Sequence, residues 1–107
     1  MGFSISQTPY TWWMAEVEVH IETEASTHWS YGVRVFAEGR TREHRVTLSF
    51  QDYDLWCHGR VAPSRVVEAC FGFLLERESA DEILERFDCA VIRRYFPEVD
   101  TELPALV

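Results

Sequence analysis

The apolar residues of this chain change their period near its middle. From Trp13 to Phe50 they recur at every second position, and from Val66 to Phe96 at every third or fourth. A period of two belongs to strands with one buried face, and a period near 3.6 to helices with a buried stripe. Strands followed by helices, rather than alternating with them, point to an α+β fold. We expect a three-stranded antiparallel meander followed by three to four helices packed on one face. At 107 residues the chain is one domain, long enough to bury its own core.

The strand pattern starts at Tyr10, after an arm over residues 1–9. Trp13, Ala15, Val17, Val19 and Ile21 fall on one side, and Glu16, Glu18, His20 and Glu22 on the other. A second strand turns Tyr31, Val33 and Val35 inward, with Arg34, Phe36 and Glu38 outward. Gly39-Arg40-Thr41-Arg42 is expected to turn the chain, and a third strand places Val46, Leu48 and Phe50 inward. Such short connections require antiparallel neighbours, since a parallel crossover needs a dozen residues or more. Pairing then sets the acidic first strand beside Arg34, and Glu38 opposite Arg45.

The sheet region ends near residue 51, and residues 52–96 form the helical half. Ser49 is placed to cap a short helix through Trp56 that Gly59 closes. Pro63 suits the first turn of a longer helix, with Val66, Val67, Cys70, Phe71 and Leu74 as its buried stripe. Ser79-Ala80-Asp81-Glu82 has the form of a capping box, expected to start a helix burying Ile83, Leu84 and Phe87. Asp88 caps a last turn or two bearing Val91, Ile92, Tyr95 and Phe96, which Pro97 ends. An acidic tail over 97–107 is expected to be only partly ordered.

Several of these stretches resemble those of small uncharacterised bacterial proteins. They are Val46-Thr47-Leu48-Ser49, Asp52-Tyr53, Gly59-Arg60, Pro63, Phe73-Leu74-Leu75-Glu76-Arg77-Glu78, Phe87-Asp88 and Arg94-Tyr95-Phe96-Pro97. The resemblance covers roughly the last 60 residues and implies an α+β fold. It brings no activity, ligand or site residue with it.

Charge narrows the partners. Residues 1–59 hold four arginines against eight acids, and residues 60–107 six against ten, so each half is net −4. Neither half offers the basic face that neutralises phosphates, which disfavours nucleic acid and anionic membrane as partners. No window is apolar enough for a membrane span, and the N-terminus lacks a signal-peptide pattern, so a cytoplasmic protein is expected. Arginine supplies all ten basic residues, in keeping with a GC-rich bacterial genome. The three cysteines (Cys57, Cys70 and Cys89) show no paired spacing and read as reduced thiols.

No motif fixes a reaction, a cofactor or a metal. Asp52 and Asp54 stand two apart, which on a helix puts them on different faces. Cys57-His58 sets a nucleophile beside a base in sequence, whereas catalytic pairs meet in space. Arg60, Ser64 and Arg65 surround the start of the long helix, where an anion could be held. A small-molecule or anion binder, or an enzyme, with its site near Trp56, His58 and Arg60 is the main alternative to a non-enzymatic interaction protein. Residues 80–96 invite comparison with a helix-turn-helix, but Asp88-Cys89 is too short a link for that unit and the segment is net acidic. The outward aromatics carry the leading expectation. Tyr10, Trp12, Met14 and Phe36 would form an exposed patch, the mark of an interface, most simply in a homodimer. A small, non-enzymatic, self-associating interaction protein is therefore the function expected.

Overall fold

A computed structural model of the chain describes the backbone of residues 10–12 and all atoms of residues 15–107. Five strands, Tyr10–Trp12 (β1), Ala15–Glu24 (β2), His28–Ala37 (β3), Arg40–Ser49 (β4) and Arg86–Asp88 (β5), form one sheet in chain order. The first four make an antiparallel meander, and β5 lies parallel to β4. The connection from β4 to β5 carries the helices Phe50–Cys57 (α1) and Pro63–Leu75 (α2). That supplies the long crossover a parallel pair requires. Ile92–Tyr95 (α3) and Val99–Glu102 (α4) follow, each about one turn long. The fold is α+β, and among the described residues no helix is long and apolar enough to cross a membrane.

Alternation holds over the start of β2 and along β3 and β4, while Phe50, expected inward on the third strand, is the first residue of α1. Val17, Val33, Val35, Val46 and Leu48 are buried on the inner face of the sheet, against Val66, Val67, Cys70, Phe71 and Leu74 of α2. Ser49 caps α1 by accepting from the Asp52 N–H at 3.0 Å. His58 and Gly59 close the helix in left-handed conformations, with φ of 52° and 74°. Pro63 opens α2, where its missing N–H costs nothing.

Four local features depart from the expectation. First, β1 is a separate strand paired along β2, with Trp12 opposite Ala15, so Tyr10–Trp12 does not extend β2. Second, β2 carries a bulge between His20 and Glu22, and Ile21 there has φ 58° and is 72% exposed. A bulge adds one residue and reverses the alternation, which is why Ile21 leaves the core and Glu22 comes opposite Tyr31. Third, the β3–β4 turn is Glu38-Gly39, both with positive φ, between Ala37 and Arg40. This is the two-residue hairpin geometry that matches strand twist. It shifts the register, so Arg45 faces Gly32 and not Glu38.

The fourth departure lies after α2. The capping box forms, yet Ala80–Glu82 is a single 3₁₀ turn and Ile83 is already extended, with ψ 131°. The chain then runs to the edge of β4, where the Arg45 N–H donates to the Glu85 carbonyl at 2.8 Å and β5 pairs in register. The unsatisfied edge of β4 takes this segment as a strand, because a strand edge left buried and unpaired is costly. The helix expected through Ile83, Leu84 and Phe87 is therefore absent, and Leu84 is half exposed instead of buried. The helix pair that a helix-turn-helix needs is not formed by residues 80–96.

The C-terminal tail packs onto the helical layer. Val99 and Leu103 are fully buried. Arg93 holds the tail through a two-pronged pair with Asp100 (2.9 and 2.8 Å) and a third bond to Asp52 at 3.1 Å. The Trp56 indole N–H donates to the same Asp100 at 2.8 Å. Arg77, stacked 3.6 Å over the Phe73 ring, binds Glu98 and Glu102. Two arginine clasps thus bind an acidic segment to α1, α2 and α3.

Candidate functional site

The residues singled out in the sequence do not converge. Trp56 is fully buried, with its N–H engaged by Asp100. His58 is exposed at the end of α1. Arg60 folds back so that its Nε donates to the Cys57 carbonyl at 3.0 Å. Arg65 turns to Glu68 at 3.6 Å and to the Leu106 carbonyl at 3.4 Å. Ser64 follows Pro63 in the first turn of α2, and the contacts of Arg60 and Arg65 run to Cys57, Glu68 and Leu106 and not to Ser64. Asp52 is buried against Arg93, while Asp54 is exposed. Cys57 is buried and His58 points away from the core, so they form no catalytic pair. Among the described residues no group of three or more acids, histidines and cysteines could hold a metal.

The aromatic patch is only partly open to view. Phe36 lies on the outer face of β3 and is 42% exposed. The side chains of Tyr10 and Trp12, and Met14 altogether, lie outside the described residues.

A different surface comes from the unexpected β5. Because the chain leaves the 3₁₀ turn extended and reaches β4 as a strand, no helix fills the space between the end of α2 and α3. What remains is an apolar groove of about 240 Å³. Leu74, Ile83 and Ile92 form its buried floor, and Leu84 and Tyr95 stand at its sides, 50% and 66% exposed. Large apolar side chains left in water beside an apolar cavity are the usual sign of a surface that binds.

The groove's rim is acidic. Glu78 and Glu82 both line it. The Glu82 carboxylate accepts from the Ser79 N–H at 2.9 Å, which fixes it in place. Burial first, and the neighbouring Glu82 second, push the Glu78 carboxyl above the ordinary carboxylate range. A cation brought to this rim would relieve both effects. Glu85 adds to the negative field of the same segment, while Glu76 is paired with Arg77 and Asp81 with Arg40 and Arg42.

Sequence reasoning assigned Leu84 to a buried helical stripe and so missed this groove. The signal was present in the two-residue link Asp88-Cys89. A helix-turn-helix turn uses three to four residues, so the short link argued against two helices paired in that way. No family model, curated protein or solved structure matches the chain.

Proposed function

We propose that this protein acts by binding, and that its apolar groove takes an amphipathic helix of a partner protein whose apolar stripe is flanked by lysine or arginine. The observation that carries this reading is the pair Leu84 and Tyr95, held in water on either side of an apolar cavity. Helix-in-groove recognition uses such anchors at one-turn spacing. Charge decides which helix fits. Glu78 and Glu82 line the rim, so a basic flank gains two ion pairs and an acidic one meets repulsion. The same argument disfavours a second copy of this chain as occupant, because its net charge is −8.

Fluorescence anisotropy of a labelled leucine/lysine amphipathic peptide tests the proposal, with a leucine/glutamate peptide of the same apolar stripe as control. The lysine peptide should bind saturably and the glutamate peptide should not. The double variant Leu84→Asp with Tyr95→Ser should lose at least tenfold in affinity, since buried anchors carry most of the energy of such contacts. Both positions are exposed, so the variant keeps its fold. Equal binding by wild type and variant would assign the peptide to the general acidic surface and overturn the groove. Concentration-dependent self-association that the same variant abolishes would assign the groove to a second copy.

A further inference from the structure

A second surface lies on the opposite side of the sheet, where no helix of the described residues packs. Register brings His20, Gly32, Arg45 and Arg86 into one row across β2, β3, β4 and β5. Residues directly opposite one another share a face, so this row points away from the helices with the exposed Arg45 and Arg86. The next row is Thr23, Ser30, Thr47 and Asp88, in which the Thr47 hydroxyl donates to Asp88. The row on the other side is Glu18, Arg34 and Glu43, joined by Arg34 at 3.1 and 2.8 Å.

Between these rows the surface is hollow, with a volume of about 610 Å³. Gly32 has no side chain to fill it. The His20 ring leans over that glycine, so close that a Cβ there would meet it at 3.2 Å. The bulge at Ile21 swings the end of β2 aside and makes one wall.

The charges in the hollow are unusual for this chain. Six of its ten arginines have a carboxylate partner: Arg34, Arg40, Arg42, Arg65, Arg77 and Arg93. Arg45 and Arg86 find none among the described residues, and they stand directly opposite each other in the parallel pair. Like charges facing across a ladder destabilise it unless something lies between them. The acids that line the hollow are Glu43 and Glu85. Glu43 is held by Arg34, whose guanidinium keeps its carboxyl below the ordinary range.

We infer that this hollow binds a phosphate monoester carried on a small molecule. Two adjacent guanidinium forks match a tetrahedral oxyanion, each with two donors, whereas a planar carboxylate is satisfied by one fork. The Ser30 and Thr23 hydroxyls border the hollow as further donors, and its volume leaves room for the group that bears the phosphate.

The test is an amide ¹⁵N–¹H titration of the full chain with phenyl phosphate, at ionic strength held constant with sodium chloride. Benzoate and inorganic phosphate are run in parallel. Phenyl phosphate should give saturable shifts confined to residues near Gly32, Arg45 and Arg86, and should bind more tightly than either control. Arg45→Gln should weaken it by about tenfold, and Arg45→Gln with Arg86→Gln should abolish it. Arg94→Gln removes another exposed arginine without an acid partner among the described residues, outside the hollow, and should leave the affinity unchanged. Shifts that never saturate, benzoate binding as tightly as phenyl phosphate, or an equal loss in Arg94→Gln would overturn the site. Equal affinity for inorganic phosphate would overturn the monoester assignment.

Discussion

Glu68 sits inside the helical layer with 7% of its surface exposed, a poor place for a charge. Arg65 is its cationic neighbour, 3.6 Å away. Burial outweighs that partner and pushes the carboxyl from its ordinary 4.5 up to about 7. The folded chain therefore holds a proton that the unfolded chain releases between those values. Stability from this group is full below about pH 4.5 and is lost as pH rises through 7. Glu68→Gln keeps the shape and removes the titration. It should match the wild type near pH 4 and exceed it by about 2 kcal/mol near pH 8. Thermal melts at the two pH values check this, and an advantage at the acid end would contradict the assignment.

Two elements depend on side chains whose roles are specific enough to test. The β3–β4 hairpin puts Glu38 at φ 54°, a region that costs an ordinary L-residue energy and suits asparagine. Glu38→Asn creates the Asn-Gly pair this turn prefers and should add roughly 0.5–1 kcal/mol in urea denaturation. The Arg93 clasp works in the other direction. Arg93→Ala leaves buried Asp52 without its cation and removes the two-pronged tie between α3 and α4, at a cost of about 2–3 kcal/mol. Arg93→Lys should recover less than half of that, since one ammonium cannot make the two-pronged contact with Asp100. Full recovery by lysine would show that charge alone, and not the fork, holds the tail.

These same elements mark how far the sequence could be read. Helix α1, the start of α2 and its buried stripe were legible because capping residues and a 3.6 period act locally. Tyr31, Val33 and Val35 of β3 and Val46 and Leu48 of β4 were legible because alternation is also local, whereas Phe50, expected to continue it, opens α1. The bulge at Ile21 was hidden, since nothing in Val19-His20-Ile21-Glu22 breaks the alternation that the backbone itself interrupts. Strand β5 was hidden because its three residues become a strand only when the edge of β4 is there to pair with them. Both proposed sites depend on β5. The groove exists because that segment is not a helix, and the facing of Arg45 and Arg86 exists because it is a strand. Neither site is set by local sequence alone, although the short link Asp88-Cys89 argued against a helix-turn-helix there.

At the scale of the whole molecule, the sheet divides two kinds of surface. One side carries the helices, bound together by arginine clasps, with an apolar groove and acidic rim at their end. The other is a polar face centred on Gly32 with two arginines free of acid partners among the described residues. If the groove is where the protein meets its partner, an occupant should perturb only one side. The most direct measurement is an amide ¹⁵N–¹H shift map of the full chain with the leucine/lysine helix added. The account predicts saturable changes at Glu78, Ile83 to Phe87 and Val91 to Phe96, with Gly32 and Arg45 unmoved. Changes spread over the acidic surface without saturation, or centred on the sheet face around Gly32, would contradict it.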